Sequence, residues 1–327
     1  MNRLLAVVTA TAALLVPLGA AAASAQAEPT TPLRPAEIKR GPNPQVPYVK
    51  GTTIIDGDRR IKVNAGRIGL HGTAGPSAYI VGASSASGEN RRLLRVAADG
   101  TTRVLLRADL RALSTVLVAD DGARIAYLSA EGRRKSTVKV LSAVTGGLQY
   151  QRSFSGWTSL HDVDGRRLLA TVWGNNGPRT LIWRLGGTNR TVVFKDAYTG
   201  DLSANRVAFY SKDPYQGGCS VLTRISRPAD RIWRSCRDRI EPASPDWSRL
   251  MTVGLLDDGL GSRAITMRTG TGRALRTFTV DGWFDLSEWE DNRTILVVTH
   301  GEHWTATIRC TASSCNRASK LTRTVWP

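Results

Sequence analysis

No cysteine precedes Cys219, histidine occurs only four times in 327 residues, and beyond the N-terminus no apolar run approaches the length of a membrane span. The first absence excludes an acylated cysteine behind a leader peptide. The second leaves little material for a histidine-rich metal centre. The third leaves the expected mature chain without a transmembrane segment. The chain also has no Gly-x-Ser-x-Gly elbow, no glycine loop of the phosphate-cradling type and no helical pattern long enough to serve as a crossover between parallel strands. These gaps exclude the usual α/β hydrolase and nucleotide-binding constellations.

What is present begins with a leader. Met1-Asn2-Arg3 carries a positive charge, Leu4 to Val16 is apolar, Pro17 and Gly19 interrupt the run, and small residues stand at Ala23-Ser24-Ala25 and Ala25-Gln26-Ala27. Residues 1–27 read as a secretory signal peptide. Residues 28–47 contain Pro29, Pro32, Pro35, Pro42, Pro44 and Pro47 without apolar periodicity, and are expected to form an extended tether outside the fold. The folded body is then expected over 48–327.

Basic residues outnumber acidic ones, 45 to 27, for a net charge of +18 that is still +17 once Arg3 leaves with the leader. Arginine accounts for 37 of the basic residues and lysine for 8, spread over the whole chain as in Arg91-Arg92, Arg133-Arg134-Lys135 and Arg166-Arg167. An exported cationic surface favours an anionic envelope polymer or a protein partner, and argues against nucleic acid because no interleaved aromatic and basic platform is visible. Export also places the cysteines in an oxidising setting. Cys219 and Cys236 flank two β-rich runs joined near Arg227-Pro228, and Cys310 and Cys315 bracket Thr311-Ala312-Ser313-Ser314. The local pairings Cys219–Cys236 and Cys310–Cys315 are therefore expected, in preference to a four-thiolate zinc site.

A repeat of about forty-three residues dominates the rest. A turn followed by an apolar strand recurs at 119–127, 162–170, 202–209, 244–251 and 290–297, with a degenerate copy near Gly75 to Val81; Gly122 and Gly165 stand 43 positions apart. Further strand-like runs and glycine turns, such as Thr145-Gly146-Gly147 and Thr269-Gly270-Thr271-Gly272, complete four short antiparallel strands per unit. That pattern predicts an all-β propeller. Six four-stranded blades plus an N-terminal hairpin at 51–63 are expected, with seven blades as the alternative.

Ser244-Pro245-Asp246 and Asp120-Asp121-Gly122-Ala123-Arg124-Ile125-Ala126-Tyr127 resemble the WD-like repeats of TolB-type propellers, over about residues 66–327. The resemblance implies a scaffold for protein contacts. No copy carries all four residues of the Ser-Pro-Asp-Gly turn, and TolB's separate N-terminal domain has no counterpart.

Candidate site residues are few. Asp201 and Asp285 fall on expected inner strands and are candidates for one channel mouth, with His161 and His71 near inner-strand ends. Trp157 and Trp283 each follow a glycine in the link into an inner strand, where paired aromatic plates would bind a sugar or peptide. His300-Gly301-Glu302-His303 lacks the helical spacing of a zinc protease and reads as an exposed turn. The residues imply no cofactor and no metal. The expected protein is a secreted, monomeric, non-enzymatic propeller binding a protein or an anionic envelope polymer; the alternative is a channel-sited hydrolase or lyase acting on a sugar or lactone.

Overall fold

The computed structural model describes residues 29–130, 132 and 134–326; the expected signal peptide lies outside them. The described residues form seven sheets, each built on an antiparallel meander of consecutive strands, arranged as the blades of a propeller. Blade 1 has three strands, Tyr48–Lys50, Thr53–Asp56 and Arg59–Lys62. Blades 2 to 5 have four each and begin with the inner strands Arg67–Thr73, Leu117–Val118, Trp157–Asp164 and Asp196–Asp201. Blades 6 and 7 begin with Asp238–Ala243 and Trp283–Trp289. The blade count is therefore seven, not six. The expected hairpin is the outer part of a complete sheet, since Ile54, Ile61 and Val63 are buried with Tyr79, Val81, Leu94 and Val96 of blade 2. Among the described residues no helix is long and apolar enough to cross a membrane.

The repeated turns connect each inner strand to the second strand of its blade. In blades 2 to 6 one residue of the turn takes a left-handed backbone: Gly75, Gly122, Gly165, Asn205 and Trp247, with φ between 52° and 75°. Glycine and asparagine accept this conformation readily, whereas tryptophan does so rarely. Trp247 holds the position that glycine takes in the expected Ser-Pro-Asp-Gly turn. Its ring is buried between blades 5 and 6, and its indole N–H donates to Asp201 Oδ2 at 2.8 Å.

Apolar clusters fill the gaps between successive blades. Val138 and Val140 of blade 3 meet Leu168, Leu181 and Trp183 of blade 4, for example, and Met267 and Phe278 of blade 6 meet Ile295 and Ile308 of blade 7. Six such clusters serve the six junctions from blade 1 through blade 7. Among the described residues, none joins blade 7 back to blade 1.

That last junction involves the proline-rich segment, which departs from the expected tether. Thr30–Pro32 pairs in parallel with the outer strand of blade 6, Ala274–Thr279, and Leu33 is buried in the cluster between blades 6 and 7. Arg317 Nε donates to the Ile38 carbonyl, and Gly41 N–H donates to the Arg317 carbonyl. The chain then reaches blade 1 directly. Proline's missing donors cost nothing here, because the segment is an edge strand and a strap held by side chains from other blades.

Both expected disulfides are present. Cys310 and Cys315 are direct partners in the register of blade 7, with Cα atoms 4.2 Å apart. Cys219 and Cys236 extend the Ser220–Ser235 pair of blade 5, with Cα atoms 4.0 Å apart. Their hairpin turns at Ile225-Ser226, earlier than the midpoint of the two cysteines. Two register shifts in the pairing with the longer strand, Arg227–Ser235, absorb the difference.

Candidate functional site

Inner strands carry bulges at corresponding places. The extra residues are His71 in blade 2, His161 in blade 4, Tyr198 in blade 5, Glu241-Pro242 in blade 6 and Asp285-Leu286 in blade 7. A bulge re-aims a side chain that regular alternation would direct elsewhere. His161 is turned back into its own blade, where Nε2 lies 2.8 Å from Thr171 Oγ1, and burial lowers its pKa to about 4. His71 is lowered for the same reason. Tyr198 stacks on Tyr210 at 4.6 Å, and its hydroxyl accepts the Ile240 N–H of blade 6.

Asp201 and Asp285 are not brought to one channel mouth. Asp201 is the last residue of its inner strand and Asp285 the third of its own, and the inner strands run the same way, so the two stand toward opposite faces. Asp201 Oδ1 accepts from Ala204 N–H and Ser203 Oγ–H while Oδ2 accepts from Trp247. Asp162 Oδ2 likewise accepts from Leu202 N–H of blade 5. Burial, with Asp201 and Asp120 nearby, pushes its pKa up to about 6. These carboxylates tie neighbouring blades together. Among the described residues His300 and His303 belong to no group of three metal-ligating side chains: His300 Nδ1 meets Thr305 Oγ1 and its Nε2 lies 3.8 Å from Asp285 Oδ2, while His303 is an exposed neighbour of Glu302.

The two tryptophans do begin inner strands, but not as a pair of open plates. Trp283 is only 8% exposed, stacked on His300 at 4.4 Å with Trp326 against its edge. Trp157 is half-buried, with the Arg111 guanidinium 6.0 Å from its ring centre. The glycine before each has a steric cause. A Cβ on Gly156 would stand 1.9 Å from the Trp173 carbonyl oxygen, and one on Gly282 would stand 2.1 Å from that of His300.

The open ground lies at the same face, over blades 4 to 6. Loop 211–219 of blade 5 and loop 255–263 of blade 6 lean together, and the Tyr215 hydroxyl donates to Asp258 Oδ2 at 2.5 Å. Arg239 fixes the second loop: Nη1 donates to the carbonyls of Gly254, Leu255 and Asp257, and Nε donates to Glu241 Oε1 at 2.8 Å. Two cavities flank this bridge. One, of about 560 Å³, opens toward the axis past Glu241, Phe284 and Asp285. The other, of about 640 Å³, is walled by Trp173, Phe194, Tyr210, Tyr215 and Leu256, with Asp196 in its lining. Phe154, Phe209, Phe278 and Phe284 are buried, whereas Phe194 is 74% exposed at the rim of this cavity; Tyr215 is 70% exposed. Aromatic walls with a few polar groups are the usual makeup of a ligand pocket.

Sequence reasoning missed this cavity. Phe194 ends the run Thr191-Val192-Val193-Phe194, which looks like any buried strand, and Tyr215 sits in a loop with no motif.

No protein-family model matches the chain, and no curated protein matches it. Solved structures match in shape. An acylaminoacyl peptidase of Pyrococcus horikoshii is similar over 82% of this chain and 47% of its own, with 8% identity and a TM-score of 0.61. A chain of the mitotic checkpoint complex is similar over 98% and 90%, with 12% identity and a TM-score of 0.54. The fold these structures share with the chain is the β-propeller. A TolB of Agrobacterium tumefaciens is also similar, over 64% and 80%, with 13% identity and a TM-score of 0.47. The propeller spans about half the length of the peptidase it matches, and at these identities the likeness concerns the fold alone.

Proposed function

We propose that the protein is an exported, monomeric, non-enzymatic propeller that binds a protein partner through the face over blades 4 to 6. The aromatic cavity beside the Tyr215–Asp258 bridge seats an apolar anchor of that partner. The observation that carries this reading is the grouping of Phe194, Tyr215 and Leu256, exposed around one cavity in a protein whose other large apolar side chains are mostly buried. The leader-like residues 1–27 and two disulfides support export.

A second reading rests on the net charge. With basic residues on every blade, an anionic envelope polymer would bind broadly and with strong salt dependence. Crosslinking capture from the extracellular fraction, with the wild type and with Phe194→Ser/Leu256→Ser, separates the two. A discrete partner held by the wild type and lost by the variant supports the cavity. Salt-sensitive binding to purified anionic wall material, equal for both proteins and with no discrete partner, supports the polymer.

A further inference from the structure

The aromatic cavity contains a carboxylate that its surroundings do not use. Asp196 opens the inner strand of blade 5 and stands directly opposite Tyr210 in the register, so both side chains lie on the same face of the sheet. Of the other charged groups of the lining, all but the exposed Lys212 are engaged. Lys195 Nζ donates to the Ser211 carbonyl, Asp213 Oδ1 accepts the Tyr215 N–H, Asp258 accepts the Tyr215 hydroxyl, and Arg239 holds loop 255–263. Asp196 is half-buried, no hydrogen bond to its carboxylate is formed among the described residues, and no neighbouring cation offsets its burial.

A cavity whose half-buried charge is an anion, its exposed Lys212 left in solvent at the rim, selects a particular chemistry. Tyr215, Phe194 and Trp173 offer ring faces that attract a cation, Leu256 and Pro178 offer apolar contact for a hydrocarbon stem, and Asp196 supplies the countercharge. A ligand carboxylate would instead meet an anion in a partly dry site. Resting on the binding role given above, we propose that the anchor of the partner is a basic side chain, a lysine or an arginine, whose stem lies against the aromatic wall and whose head pairs with Asp196. The long-range repulsion of a +17 body does not forbid this, because it is screened within about 8 Å at physiological salt. Burial also pushes the Asp196 pKa up to about 6, so a bound cation would gain from drawing it back down.

Three probes of matched size test the assignment: phenethylamine, phenethyl alcohol and hydrocinnamate, titrated by ligand-observed NMR at neutral pH against the full chain. The amine is expected to bind about fivefold or more tightly than the alcohol, with hydrocinnamate weakest. Asp196→Asn should erase the preference while leaving the alcohol unchanged, and Phe194→Ser should weaken all three. Equal binding of the probes, or a preference for hydrocinnamate, overturns the basic anchor but leaves the cavity as a site. Failure of all three to bind removes the cavity itself, and the proposed function with it.

Discussion

Arg309 and Glu290 form a two-point ion pair, Nε to Oε2 at 2.5 Å and Nη2 to Oε1 at 2.7 Å, with the Glu290 side chain only 4% exposed. The same two side chains hold the strap. Arg309 donates to the carbonyls of Pro42 and Asn43, and Glu290 accepts the Gln45 N–H. Every other blade junction has an apolar cluster, so this one depends on charge and hydrogen bonding. The hydrogen bond to Glu290 raises the Arg309 pKa, as expected of a guanidinium held by a buried carboxylate.

Glu290→Gln should therefore lower unfolding free energy by about 3 kcal/mol, because it leaves Arg309 as a buried cation without its anion. The double variant Arg309→Met/Glu290→Leu should cost less than the single one. Urea unfolding of the three proteins checks both, and limited proteolysis should cut within 29–47 faster in Glu290→Gln. A single variant as stable as the wild type would contradict this view of the seam.

Trp247 gives a second prediction. Its left-handed backbone is held by ring burial and by the hydrogen bond to Asp201, which also fixes the turn at Ala204. Asp201→Asn presents one amide where two acceptors are needed, so either the turn or the indole loses its partner. The expected cost is about 1–3 kcal/mol by urea unfolding. Asp201→Glu, whose longer side chain cannot keep both contacts, should not restore stability.

The adjacent pair His161 and Asp162 predicts a pH effect. Folding lowers His161 from 6.5 to about 4, so the unfolded chain takes up that proton first and stability is lost as pH falls from 6.5 toward 4. Folding raises Asp162 from 3.8 to about 6, so the folded chain takes up that proton first and stability is gained as pH falls from 6 toward 3.8. The two effects oppose each other over the same window. His161→Gln removes only the first. The unfolding free energy of the wild type minus that of the variant should fall by about 2 to 3 kcal/mol between pH 7 and pH 4. A difference that stays constant with pH would mean His161 is not held neutral.

What the sequence makes legible is what local chemistry dictates. Glycine and asparagine at the repeated turns mark the start of the second strand in blades 2 to 5, and close cysteine pairs mark hairpin partners. The seventh blade was harder to see because blade 1 has three strands and no preceding copy of the turn. The strap was harder still. Its prolines look like a tether, and its order comes from side chains far along the chain, Arg309 and Arg317. Asp201 was visible as an inner-strand acid, but its partner Trp247 belongs to the next blade. The cavity was not visible at all. Phe194, Tyr215 and Leu256 come from a blade-to-blade link and two loops, and only the ring of blades brings them together.

Hydrogen exchange on the captured complex tests the central claim most directly. If the face over blades 4 to 6 is the binding surface, a bound partner should slow amide exchange in loops 211–219 and 255–263 and at the link around Phe194. The opposite turns around Asp120, Asp164 and Asp201 should exchange as in the free protein. Protection confined to those turns, with the two loops unchanged, would contradict the account.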